Sequence, residues 1–362
     1  MGRSFAANAD ISALFNLFPK EETMGGPSGE FYGRDTTSRS RQTRSGTTTV
    51  SEEALGRNTR VHTTMLAKDR RIRTQARNPV VIIADVTGSM GNLPKIFWDK
   101  APMIVGQIKE RGYLSDPEFC VAAVGDVVHD RGPIQVAEFC QPREMDTWLE
   151  RMWLEGNGGG NDRESYETMA WYYAYCCDLP EECTPFLIIL GDEGFYDEIS
   201  GQNLNALFGS KRNNTTAIAV FRDLRAKFHG NVFHIHRHYS RVAEERIVQQ
   251  WQSALGKNHV LFLGTDRAIA DVTLGIFALM TGSRTIDEYI ADMRQRGQDE
   301  GRCAEVRETL QPLLAIAPQK RIEEPPAPPP PAASKKRRRK KKEDPPPSGG
   351  TPDSGGDDWK LA

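Results

Sequence analysis

No run of apolar residues in this 362-residue chain approaches the roughly 20 that a bilayer-crossing helix needs, which argues against a membrane span. The opening MGRSFAANADISALFNLFPKEE lacks a basic start followed by a long apolar core, so a secretory leader is not expected. Gly2 opens a loose myristoylation pattern, but Ala6 stands where Ser or Thr is wanted. The six cysteines form no C-x-x-C pair and mostly lie in apolar or aromatic segments, so they read as small buried hydrophobes of a reducing compartment. The glycine-rich GNGGGN at 156–161 follows a helical segment rather than a strand and has no G-K-[ST], so it is neither a phosphate loop nor a dinucleotide fingerprint. Internal repeats are also lacking.

Net charge is small, −2, but unevenly spread. Residues 1–78 carry 13 Lys and Arg against 8 Asp and Glu, and KKRRRKKK at 335–342 adds eight cations. The last twenty residues net −4, which leaves −11 for residues 79–334. An acidic middle suits cations better than nucleic acid, whereas the basic flanks suit polyanions.

Residues 24–64 are poor in large apolar side chains and rich in Gly, Ser, Thr and Arg, a composition that cannot offset its own ordering entropy. From about 318 the chain turns Pro-rich, then basic, then rich in Pro, Gly and Asp, which reads as a disordered tail with polyproline character. Between these flanks, apolar strands alternate with helix-like segments. PVVIIAD, EFCVAAVGD, IQVAEF, TPFLIILGDE, NVFHIHRHY and HVLFLGT read as strands. The helices expected include LPKIFWDKAPMIVGQIKERG, EMDTWLERMW, ESYETMAWYYAYCCD, SRVAEERIVQQWQSAL, DRAIADVTLGIFALMTG and TIDEYIADMRQRGQ. This alternation predicts an α/β, Rossmann-like three-layer sandwich with a mostly parallel central sheet, flanked by disordered termini. Trp148, Trp153, Trp171, Tyr172, Tyr173 and Tyr175 then belong to the core rather than to a recognition surface.

In such folds ligands bind beyond the carboxyl ends of the strands. Two strands end there in acids, Asp85 and Asp192. In VVIIADVTGSMGN, Asp85 is followed by Thr87 and Ser89, with Gly88 and Gly91 letting the backbone bend. A second loop, EGNGGGNDRES at 155–165, opens a helix, and GDE at 191–193 forms a third. Carboxylate, hydroxyl and amide oxygens are hard ligands, suited to Mg²⁺, Mn²⁺ or Ca²⁺.

These residues resemble the von Willebrand factor A (VWA) domain, whose metal-ion-dependent adhesion site reads D-x-S-x-S at the end of its first strand. The likeness covers roughly residues 79–282. It implies that Thr87 and Ser89 bind the metal directly, that Asp85 acts through water or hydrogen bonds, and that Asp192 supplies the third-loop acid. The second loop departs from the pattern, having no threonine before Thr168. Asn161 or Asp162 is the expected replacement, with Glu164 or Ser165 behind it. A direct Asp162 would bind the ion more tightly but weaken its pull on an external carboxylate. Asp126 and Glu193 stand on the same rim, Asp126 more in keeping with a turn.

The regions expected are thus a largely flexible 1–64, a VWA-like metal-binding domain at 65–282, a helical extension at 283–317 and a disordered tail at 318–362. The function expected is a non-catalytic, divalent-metal-dependent adaptor, intracellular, in the cytoplasm or in a eukaryotic nucleus. Its partner would offer an Asp or Glu to the metal. Intracellular members of the family often serve multi-subunit assemblies, some with AAA+ ATPases, as the resemblance implies. Two rivals remain open. One is an Mg²⁺-dependent phosphoester hydrolase using Asp85, Asp162 and Asp192 with Glu193 as base. The other binds nucleic acid through the basic arms, and the run at 335–342 also suits another polyanion or an import receptor. An aspartyl-nucleophile phosphatase is disfavoured, since Thr87 stands where its second acid belongs. HIHRH places His234, His236 and His238 on one strand face, where hydrogen bonding is a better reading than zinc.

Overall fold

The computed structural model describes residues 61–154, 162–209, 212–239 and 242–318. The flexible region expected over 1–64 falls outside these up to residue 60, as do the tail from 319 onward and Asn161.

The apolar runs form one six-stranded sheet. Its members are β1 (Asn78–Asp85), β2 (Pro117–Val124), β3 (Ile134–Val136), β4 (Phe186–Gly191), β5 (Val232–Arg237) and β6 (Val260–Leu263). They lie in the order β6-β5-β4-β1-β2-β3, all parallel except β3, which runs antiparallel on the edge. Every residue of β1 and β4 is buried, as a continuous apolar run requires of a strand covered on both faces. From β1 the chain steps outward through β2 to β3; from β4 it steps the other way. The order therefore reverses between β1 and β4, and the crevice at their carboxyl ends is the switch point of the sheet.

Helices cover both faces. After β1 comes α1 (Leu93–Arg111), with Pro94 in its first turn, where a missing N–H costs nothing. It runs on through Pro102 and stops at Gly112, whose φ of 66° suits glycine and whose N–H donates to the Ile108 carbonyl. The others are α2 (Met145–Arg151), α3 (Tyr166–Tyr175), α4 (Gly201–Phe208), α5 (Ala217–Lys227), α6 (Glu244–Leu255), α7 (Ile269–Met280), α8 (Ile286–Gln295) and α9 (Glu300–Leu310). One layer packs α1 against α7, and the other packs α3 against α5 and α5 against α6, giving the three-layer sandwich. Trp171, Tyr172 and Tyr173 are buried in α3, with Trp171 stacked on Phe208 at 5.3 Å between ring centres.

Residues 283–317 share this core. Tyr289 in α8 donates to the Asp271 carbonyl of α7, and Arg296 pairs with the Asp271 carboxylate at 2.9 Å. Leu310 in α9 packs where a Cβ on Gly275 would lie 2.3 Å away, so that α7 position admits only glycine at this spacing. All six cysteines are free and buried. Among the described residues, no helix is long and apolar enough to cross a membrane.

Candidate metal centre at the carboxyl edge of the sheet

Asp85 is the last residue of β1 and is fully buried. The chain leaves it through an extended Thr87, makes one 3-10 turn over Gly88–Met90, and recovers at Gly91, φ 52°, before α1 begins. Glycine adopts that positive φ without the clash a Cβ would bring. The loop folds back on its own acid. Thr87 donates from both its backbone N–H (2.8 Å) and its hydroxyl (2.6 Å) to Asp85 Oδ1. Ser89 Oγ lies 3.3 Å from Thr87 Oγ1 and donates to Asp192 Oδ1 at 3.0 Å. One chain of oxygens thus joins the ends of β1 and β4 at the switch point.

Two further groups hold this arrangement. Tyr166, the first residue of α3, donates its hydroxyl to Asp85 Oδ2. It reaches that oxygen only because position 191 is glycine; a Cβ there would stand 2.1 Å from the Tyr166 Oη. Arg237, at the end of β5, donates to the Ser89 carbonyl at 3.0 Å while pairing with Asp266 at 2.9 Å, and so pins the first loop from the other side. Neither Tyr166, Gly191 nor Arg237 stood out in the sequence. The signal was available in part: ILGDE puts a glycine immediately before the third-loop acid.

The described end of the second loop, residues 162–165, bonds to the chains leaving β4 and β2. The Asp162 carbonyl accepts from the Gly194 N–H at 3.1 Å, Glu164 N–H donates to the Gly194 carbonyl at 2.9 Å, and Ser165 N–H donates to the Gly125 carbonyl at 3.1 Å. Residues 162–165 are therefore tied to the chain leaving β4 at one end and to the chain leaving β2 at the other. The Asp162 carboxylate, expected to be a ligand, instead engages Arg246 of α6, and its side chain is 36% exposed. Glu164 behaves differently: it is 2% exposed, and its Oε2 has no hydrogen-bond partner.

Electrostatics tie these acids together. Burial, reinforced by the Asp192 charge, raises the Asp85 carboxyl to about 8 despite the bonds from Thr87 and Tyr166. Burial, then the charges of Asp85 and Glu193, push Glu164 up to about 11. Glu193 is itself 6% exposed, with its carbonyl accepting from the Trp251 indole at 2.8 Å. Asp126 is buried at the end of β2 and makes a turn: its Oδ1 accepts from the Val128 N–H at 2.9 Å, and its Oδ2 accepts from Tyr196 Oη at 2.9 Å and meets His129. Of the residues expected to gather, Asp85, Thr87, Ser89 and Asp192 form one bonded group, and Glu164 and Glu193 border it. Asp126 is built into its own turn, and Asp162 points to solvent and Arg246. The acid trio of a hydrolase, Asp85 with Asp162 and Asp192, is not assembled.

The donors so grouped are carboxylates and hydroxyls, the oxygen chemistry that suits Mg²⁺, Mn²⁺ or Ca²⁺. Among the described residues, no three His, Cys, Asp or Glu side chains are placed to hold a metal ion. Any cation here would depend on the Thr87 and Ser89 hydroxyls beside two acids. HIHRH forms a separate group. His234 lies 3.2 Å from His236, and His236 meets Glu244 Oε1 at 2.7 Å, with His238 3.3 Å from the same oxygen.

No family model matches the chain, and no curated protein matches it. Among solved structures, it is similar to the pilus adhesin SpaC from Lactobacillus rhamnosus GG in its open conformation, at 10% identity and a TM-score of 0.40, over 60% of this chain and 33% of the adhesin. It is also similar to proximal thread matrix protein 1 from the mussel byssus, at 10% identity and a TM-score of 0.34, over 56% of this chain and 49% of that protein.

Proposed function

We propose that the chain is a non-catalytic protein-binding module of the VWA type, holding a divalent cation, Mg²⁺ or else Mn²⁺ or Ca²⁺, at the Asp85, Thr87, Ser89 and Asp192 group. The observation that carries this reading is the bonding of Asp85: every hydrogen bond it accepts comes from a neutral group, Thr87 or Tyr166. Burial and the neighbouring Asp192 charge outweigh those neutral donors, which favours a proton or a cation at Asp85. Thr87, Ser89 and Asp192 would hold the ion. Asp85, with both oxygens already engaged, orients Thr87 and acts through it. The bound cation would supply a positive charge at the rim that an Asp or Glu of a protein partner could reach.

The surroundings suit a protein contact. Loops at the same edge of the sheet carry exposed apolar side chains: Val128 (62%) after β2, and Tyr239 (44%) and Val242 (105%) after β5. Apolar side chains rimming a charged centre are a common setting for a protein interface. An AAA+ ATPase or another multi-subunit assembly belongs to the family resemblance, and contact of residues 335–342 with a polyanion or import receptor rests on composition.

The test is an array of peptides with and without Asp or Glu, probed with the full chain in Mg²⁺ and in EDTA. Capture that needs both an acidic residue and the metal, and survives deletion of 335–342, is expected. Turnover of a phosphoester panel abolished by Asp85→Ala would replace the adaptor by the hydrolase. Binding that vanishes with 335–342 and falls steeply with salt would replace it by polyanion binding.

A further inference from the structure

We propose that Glu164, and not Asp162, is the second-loop donor to the cation, placing a charged oxygen where the VWA pattern has a neutral threonine hydroxyl. The inference rests on the metal-centre reading above and concerns which of this chain's acids completes it.

Two observations converge on Glu164. Its backbone sits between the chain leaving β4 and the chain leaving β2, through Glu164 N–H to Gly194 O and Ser165 N–H to Gly125 O, while β1 lies between those two strands and ends in Asp85. Its side chain is 2% exposed and leaves Oε2 with no partner, a costly state for a carboxyl unless something else binds it. The Asp162 side chain, by contrast, is 36% exposed and engaged by Arg246. As the side chains stand, no three acids are closed on one point, so Glu164 must be drawn inward by the ion.

The exchange of a hydroxyl for a carboxylate has a definite consequence. Asp85, Asp192 and Glu164 together carry one more negative charge than a divalent cation cancels. The centre should hold its ion firmly, favour a more highly charged ion, and pull less on a partner's acid.

The experiment titrates Mn²⁺ and, separately, Tb³⁺ into the full chain and into Glu164→Gln, Glu164→Asp, Asp162→Asn and Asp85→Ala, with the metal-free melting temperature recorded beside each. Glu164→Gln should lower Mn²⁺ affinity by ~10-fold or more and Tb³⁺ affinity by a larger factor, because the Coulomb term scales with the charge of the ion. Glu164→Asp should restore the preference for Tb³⁺, and Asp162→Asn should stay within about twofold, as expected for an exposed ion pair. Equal losses for both ions in Glu164→Gln would overturn the inference, since loosened packing does not sense ion charge. So would loss of binding in Asp162→Asn with Glu164→Gln unaffected, although the metal centre itself would then stand. A wild-type chain that binds neither ion overturns both.

Discussion

Two buried polar groups lie side by side at the carboxyl edge of the sheet, and they settle their charge in different ways. At the end of β5, His234, His236 and Glu244 form one line of contacts. His234 Nε2 lies 3.2 Å from His236 Nδ1, and His236 Nε2 lies 2.7 Å from Glu244 Oε1. His234 also stacks on Trp251 at 4.0 Å, and burial holds its ring neutral. At the end of β1, by contrast, Asp85 receives only neutral donors, and Glu164 keeps a bare oxygen. Each group leaves one buried carboxylate oxygen without a partner, Glu244 Oε2 in one and Glu164 Oε2 in the other; the difference is that Glu244 meets two imidazoles able to carry a proton, whereas Asp85 meets only hydroxyl and amide donors. Burial of polar side chains alone does not mark a binding site; what sets the end of β1 apart is a buried carboxylate with no basic side chain bonded to it.

The largest test of this contrast removes one acid. Asp192→Ala takes away the acid to which Ser89 donates, and is expected to lower Mg²⁺ affinity by ~100-fold or more, read by calorimetry on the full chain. Glu244→Gln in the histidine line should leave that titration within about twofold while costing about 1–3 kcal/mol of stability in urea unfolding. Equal metal loss in the two variants would erase the distinction between the groups.

The next effect is on pH. Asp85 is raised to about 8 and Glu167, buried in α3, to about 7, so the native state holds protons that the unfolded chain has released above the ordinary carboxylate range near 4. Their contribution to stability is therefore complete at low pH and is lost as pH rises through 7 and 8. Metal-free protein should unfold at progressively lower urea between about pH 5 and 8, and saturating Mg²⁺ should flatten the part of that slope due to Asp85. A metal-free profile that rises over this range would contradict the burial of unanswered acids.

Smaller is the effect of Gly191→Ala. The added methyl group would stand 2.1 Å from Tyr166 Oη and push the ring off Asp85, at a cost of about 1–3 kcal/mol in melting experiments. Tyr166→Phe removes the same bond without the clash, so it should cost less. The reverse order would mean that the hydroxyl, not the fit, matters at this corner.

Much of this was legible in the chain itself, for physical reasons. VVIIAD and FLIILGD are continuous apolar runs closed by an acid, a pattern that only a strand buried on both faces tolerates, and both became central strands. The first loop was legible because Asp85, Thr87 and Ser89 are close in sequence and must converge in any tight turn. The helices α4 and α5 were not read, since GQNLNALF is short and TTAIAVFRDLRAK begins with β-branched residues that mimic a strand. The loop's own sequence points to Asp162 and cannot show Arg246, which lies 84 residues away and pairs with its carboxylate. Tyr166 was hidden for the same reason, its partner Asp85 being 81 residues distant.

The most direct measurement is a calorimetric titration of Mg²⁺ into the full chain, with Asp85→Ala beside it and melting temperatures recorded at each end point. One ion should bind the wild-type chain and stabilise it by about 2.7 kcal/mol at a hundredfold excess over its Kd, and Asp85→Ala should show neither heat nor stabilisation. No heat and no stabilisation of the wild type at millimolar Mg²⁺ or Mn²⁺ would mean that protons alone answer the buried acids and that the edge of the sheet holds no cation.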